Sequence, residues 1–182
     1  DPRETIAVGL LYHGFNVNTL NPAELQAAQN TIISWKKNLA KFENEQYKNG
    51  LASGEYLVVH GYSGDIIQVM QEDSKISFAS PKEGITATVD FLSIPKGAKN
   101  INLAHAFINY LYETEPSLQN TIFTGLLVLN KHIYNKLPKM MIDLYEPFFN
   151  PVTLQHVQFI RYLGEDTQAY NVVWDNIKAK HS

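Results

Sequence analysis

The chain has no cysteine among its 182 residues, which excludes disulfides and thiolate metal sites. It also lacks a basic run. Its 15 Lys+Arg stand against 18 Asp+Glu, for a formal net charge of −3, so no segment is suited to tracking a phosphate backbone and nucleic acid is not expected as a partner. No apolar stretch approaches the roughly 18 residues needed to span a bilayer. The opening DPRET carries neither Met nor a signal-peptide pattern, so a mature or truncated chain is expected. Catalytic signatures are missing as well: GxSxG, a Walker A loop and GxGxxG are all absent, and Gly61 and Gly64 are too few to cradle phosphate. His13, His60, His105, His132, His156 and His181 show no HExxH or other metal-ligand spacing. Neither a metal nor another cofactor is expected.

What is present is a hydrophobic content of 45%, enough for a real core in one domain or two small ones. Asp1-Pro2-Arg3-Glu4 has the spacing of a capping box, with Asp1 at the N-cap, Pro2 at N1 and Glu4 at N3 of a helix running toward Gly14. Asn21-Pro22-Ala23-Glu24 opens a second helix, with Leu25, Ala28, Ile32, Trp35 and Leu39 spaced at threes and fours. A polar surface loop is expected over Glu43 to Ser53, and a buried strand over Tyr56 to Val59. Further strands are expected at Ile76 to Ala79, Thr86 to Ile94 and Leu126 to Leu129. Helices are expected at Ile66 to Glu72, Leu103 to Tyr112, around Ser117 to Phe123, from near Lys131, and from about Glu165 to Ala179. Strands alternating with helices predict α/β layers.

The residues with chemical potential are carboxylates at element ends, with aromatic side chains near them. Gly61-Tyr62-Ser63-Gly64-Asp65 follows the expected strand, so Tyr62 and Asp65 either form a turn with Asp65 as the next N-cap or sit at a sheet edge where open α/β folds bind ligands. In TATVDFLSI, Thr86, Thr88, Asp90 and Leu92 alternate with Ala87, Val89, Phe91 and Ser93. That alternation leaves Asp90 open between solvent and a site. Asp1 and Glu4 have a structural role as a capping box. A hydrolase built on Asp65 and Asp90 as a carboxylate pair is motivated by those two acids alone.

Pro81-Lys82-Glu83-Gly84, then Asp90, then Ile94-Pro95 and Ala98-Lys99-Asn100, resembles the PKEG…D…IP…AKN signature of the periplasmic spermidine/putrescine-binding proteins. These are the substrate-binding subunits of polyamine ABC transporters. Asp1-Pro2-Arg3-Glu4 resembles the D-x-R-E helix start of that family. Leu51-Ala52-Ser53-Gly54-Glu55 with Tyr62-Ser63-Gly64-Asp65 resembles its LxxGE…[WY]xGD segment. Ala104 to Leu111 and Asn130-Lys131 also fit. The resemblance is good from Asp1 to about Pro138 and poor beyond.

The resemblance implies a type II periplasmic-binding-protein fold, of which this chain is a C-terminal portion contributing to both lobes. Residues 1–84 and 137–182 would belong to the second lobe, and residues 85–136 to the first. It further implies a periplasmic or otherwise extracytoplasmic protein, with a lipid anchor on a preceding segment as one form. Its partners would be a polyamine and the permease subunits of an ABC transporter. A swapped dimer or a separate N-terminal piece would cover sheet edges left open in such a portion. The ligand positions carried over are Asp1, Glu4, Tyr62, Asp65, Thr88 and Asp90. Thr88 stands where the family usually has an aromatic wall, a second wall position falls on Leu126, and a polar position in the tail falls near Ile160. These departures point toward a shorter diamine or a different amine as the alternative ligand.

Overall fold

The computed structural model describes residues 1–180. His181 and Ser182, the end of the 137–182 segment, lie outside the described residues. Among the described residues the α-helices are α1 (Pro2–Tyr12), α2 (Pro22–Trp35), α3 (Tyr47–Ala52), α4 (Ser63–Glu72), α5 (Ile101–Leu111), α6 (Thr114–Thr124), α7 (Lys139–Phe149), α8 (Pro151–Leu154) and α9 (Thr167–Ala179). Two strands, β1 (Ile85–Ala87) and β2 (Val157–Phe159), pair in parallel with Ile85 opposite Val157 and Ala87 opposite Phe159. By contacts the chain divides into two compact units. One holds Asp1–Asn44, Ala79–Thr88 and Asn150 onward, and the other Glu45–Phe78 and Val89–Phe149.

In the first unit, helix starts follow the local chemistry. Asp1 Oδ1 accepts from the Arg3 amide at 2.8 Å and the Glu4 amide at 3.1 Å, with Pro2 at N1. Asn21 Oδ1 accepts from the Ala23 amide at 3.0 Å to open α2. The first four amides of a helix lack partners within it, and Asp1 satisfies two of them in α1 and Asn21 one in α2, so both assignments rest on short-range bonds. The core of this unit joins Ile6 and Leu10 of α1 to Leu25, Ala28 and Ile32 of α2 and Tyr170, Val173 and Ile177 of α9. Tyr170 is buried with its hydroxyl donating toward the Val17 and Thr19 carbonyls at 2.9 and 2.8 Å. Lys36, just past α2, donates to the Ile177 carbonyl at 2.8 Å, meeting the C-terminal end of α9 where the helix dipole favours a cation.

In the second unit, Ile67 of α4 packs with Leu137 and with Met141, Leu144 and Tyr145 of α7. The start of α4 is fixed to α6 and its following turn, with Leu126 and the Thr124 carbonyl lying against Gly64. Those contacts explain why 45–78 group with 89–149. Helix α5 has an apolar composition but no buried residue, with Ile101, Leu103, Phe107 and Tyr110 at least half exposed.

The expected strands fare differently from the helices. The strand over 86–94 contracts to Ile85–Ala87, and 56–59, 76–79 and 126–129 are not strands. Leu57 and Val58, expected in a buried strand, are 92% and 89% exposed. A strand is held by a neighbour's amides and carbonyls, and among the described residues only β1 and β2 supply one another. The polar stretch 43–53 is not all loop, because α3 lies within it with Tyr47 buried. The helix expected from near Lys131 begins at Lys139, after the Tyr134–Lys136 turn of 3₁₀ helix. The helices expected at 66–72, 103–112, 117–123 and 165–179 are found with starts within three residues of expectation.

Gly84 opens β1 at φ +112°, where a methyl group would stand 2.5 Å from the His156 carbonyl oxygen. The Ile85 amide donates to that same carbonyl at 3.0 Å, so backbone meets backbone here and only glycine fits. Gly84→Ala is expected to lower unfolding stability by more than ~1 kcal/mol in urea denaturation, while Gly97→Ala, with open space around it, stays within about 0.5 kcal/mol.

Candidate functional site

The six positions expected from the sequence fall into groups set by the two units. Asp1 and Glu4 lie together at the start of α1. The reciprocal half of the capping box is replaced by a longer-range bond: the Glu4 carboxylate accepts from Thr86 Oγ1 at 2.6 Å, tying α1 to β1. Arg3, between them, turns inward. Its guanidinium lies 4.1 Å from the centre of the Tyr170 ring and donates to Asn18 Oδ1 at 2.9 Å. Burial lowers its pKa from the ordinary arginine value, with Tyr170 and Glu4 acting in the opposite direction. Arg3 is thus the inner fastening of a helix start whose outer side chains are acids. Thr88, one residue beyond β1 in the same unit, is exposed.

In the second unit Tyr62 and Asp65 sit at the start of α4. The helix begins at Ser63 with Tyr62 at the N-cap, so Asp65 lies in the first turn and is not the cap. A carboxylate there is favoured by the free amides and positive end of the helix. Tyr47 of α3, which the sequence placed in a surface loop, organises this turn. Its hydroxyl donates to Asp65 Oδ2 at 2.5 Å and accepts from the Tyr62 amide at 3.0 Å. Burial chiefly, and then the bond to Asp65, pushes the Tyr47 pKa up, so it remains a neutral donor. Gly61 is required by the same packing, since a methyl group there would stand 2.3 Å from the Tyr47 ring. Lys48 adds an ammonium 3.3 Å from Asp65 Oδ1. On the far side of the turn, Ser63 Oγ lies 3.4 Å from the Tyr145 hydroxyl, which donates to the Gly125 carbonyl. Tyr145 is also pushed up by burial.

Asp90 lies in the irregular segment after β1, exposed to solvent like its neighbours Val89 and Phe91. Of the departures, Leu126 is 48% exposed, and Ile160 packs against the cluster of Ala7, Leu11 and Val17. Among the described residues no cluster of His, Cys, Asp and Glu suits a metal ion. The first unit offers Asp1 and Glu4 at a helix start and the second offers Asp65 at a helix start and Asp90 on a loop, with Glu4 and Asp65 each accepting from a neutral hydroxyl. That is the donor-poor, acceptor-rich chemistry that receives ammonium groups.

Sequence reasoning missed Tyr47, Lys48 and Thr86. For Tyr47 a signal was present: Tyr47, Gly50 and Leu51 recur at i, i+3 and i+4, the apolar stripe of one helical face.

Residues 1–140 match the family described as bacterial extracellular solute-binding protein. Among curated proteins, the chain is 36% identical over 120 residues to the putrescine-binding periplasmic protein SpuD of Pseudomonas aeruginosa, a match covering 63% of this chain and 33% of that protein. It is 31% identical over 179 residues to the spermidine/putrescine-binding periplasmic protein of Escherichia coli, covering 98% of this chain and 51% of that one. Among solved structures, a spermidine/putrescine transporter substrate-binding protein of Streptococcus pneumoniae superposes with a TM-score of 0.81 at 23% identity, over 98% of this chain and 55% of the other. A spermidine/putrescine ABC transporter protein of Listeria monocytogenes gives 0.78 at 24%, over 98% and 55%. The fold is that of the type II periplasmic-binding proteins, and the chain spans between a third and about half of the length of the curated relatives described here. The family match extends to residue 140, close to the limit of the sequence resemblance at about Pro138. The chain belongs to the bacterial extracellular solute-binding proteins.

Proposed function

We propose that the whole protein captures a polyamine outside the cytoplasm and delivers it to the permease subunits of an ABC transporter. The observation that carries this reading is the set of acids presented from α1, α4 and the segment after β1, namely Asp1, Glu4, Asp65 and Asp90, in a chain whose relatives are named for putrescine and spermidine. A polyamine is a flexible apolar chain with ammonium groups at intervals. Its receptor needs carboxylates for the charges and aromatic faces for the methylenes. Asp90 and Asp65 would each hold an ammonium nitrogen, Tyr62, which is 40% exposed, would supply an aromatic wall, and Asp1 and Glu4 would assist from the start of α1. Hydrogen bonds to charged groups contribute about 1.5–3 kcal/mol each and a cation–π contact ~0.5–2 kcal/mol, enough in combination for micromolar binding after entropy losses.

The hydrolase reading of Asp65 and Asp90 is set aside, because the family binds solutes. Thr88 and Leu126 in place of aromatic walls favour a shorter diamine such as putrescine, or another small amine, over a long polyamine. In the whole protein the division into lobes, with 1–84 and 137–182 in one and 85–136 in the other, belongs to this proposal. So does the covering of the apolar faces on α5 and at Leu57-Val58, either by segments of the whole protein outside this chain or by a second copy in an intertwined dimer. A lipid anchor is one form of its extracytoplasmic placement, in keeping with a similar Treponema pallidum protein that is named a lipoprotein.

Isothermal titration of the whole protein tests the assignment. Asp90→Asn is expected to weaken putrescine binding roughly 10- to 150-fold, the equivalent of one charged hydrogen bond, and unchanged affinity would remove Asp90 from the site. Thr88→Trp is expected to tighten spermidine by roughly 2- to 30-fold through a restored aromatic face; no gain would mean that position 88 does not line the ligand.

A further inference from the structure

The two oxygens of Asp65 are engaged by different donors. Oδ2 accepts from the neutral Tyr47 hydroxyl at 2.5 Å, while Oδ1 faces the Lys48 ammonium at 3.3 Å. Both donors come from consecutive residues of α3, a helix placed by the buried Tyr47 ring against Gly61. The two contacts serve different ends. The tyrosine is buried and sets the carboxylate's position, whereas the lysine and aspartate side chains are 36% and 30% exposed, so water reaches the ion pair.

Resting on the reading of Asp65 as a ligand group, we propose that Lys48 is a built-in competitor for the ammonium of the amine ligand. A lysine side chain ends in the same primary ammonium as putrescine, so it holds the same oxygen by the same interaction. The ligand must exchange with it. A partly exposed pair of this kind is weak, which makes the exchange possible, and Tyr47 keeps Asp65 in place while it occurs. The affinity of the protein for a diamine is therefore set below the value the acids alone would give, and Lys48 is the residue that sets it.

Titration of putrescine into the whole protein and its variants tests this. Lys48→Met is expected to tighten binding roughly 1.5- to 5-fold, the conversion of the ~0.2–1 kcal/mol of an exposed ion pair, with Lys48→Gln as a second neutral variant expected to do the same. Lys48→Arg should stay near the original affinity. Lys75→Met, which removes an exposed lysine elsewhere in the same unit, should also leave it unchanged and so separates the local effect from net charge. In the Asp65→Asn background Lys48→Met should have no effect, because the cycle isolates the pair. If Asp65→Asn weakens binding but neither neutral variant at Lys48 tightens it, or Lys75→Met tightens it equally, the competitor role is overturned while the site stands. If Asp65→Asn leaves affinity unchanged, the reading of the site fails and the competitor role falls with it.

Discussion

A carboxylate that is to receive an ammonium group has to be held in position without being buried, since an ionised acid in an apolar interior shifts its pKa and becomes neutral. The candidate site is organised around that constraint. Asp65 is placed by a buried tyrosine but keeps about a third of its side-chain surface in water, and Glu4 is placed by the hydroxyl of Thr86 in the middle of β1. In both cases a neutral hydroxyl does the placing. Helix starts add a second contribution, because free amides at the first turn of α1 and α4 favour negative charge there. Arg3 points into the fold against Tyr170, which keeps a permanent cation next to Asp1 and Glu4 in sequence from turning outward with them.

How much of this was legible in the sequence depended on the range of the interactions involved. The starts of α1 and α2 were legible because capping is settled within a few residues, by Asp1 on Arg3 and Glu4 and by Asn21 on Ala23. The strands were not, because a strand exists only if a neighbour lies alongside. Tyr56 to Val59 has the composition of a buried strand and remains exposed, while Val157 to Phe159, which the sequence did not single out, pairs with β1 across about 70 residues of chain. The helix expected from near Lys131 starts later, as α7 at Lys139, and it accommodates Pro147 near its C-terminal end. In the site, the acids could be named from motifs, but their partners could not. Thr86 reaches Glu4 across the fold, and Tyr47 reaches Asp65 from a helix hidden in a polar stretch.

The open apolar surface belongs with the same picture of range. Helix α5 carries an apolar face with none of its residues buried, and Leu57 and Val58 stand almost fully exposed. Such patches are costly in water and mark surfaces that expect a cover. The chain matches little more than half of the length of the solved structures whose fold it shares.

The most direct measurement of the central claim is a crystal structure of the whole protein with putrescine bound. The account predicts ammonium nitrogens within about 3 Å of the Asp90 and Asp65 carboxylates, with Tyr47 still bonded to Asp65 and the Lys48 ammonium moved away from it. Putrescine bound elsewhere, with Lys48 still on Asp65 and Asp90 in open solvent, would contradict it.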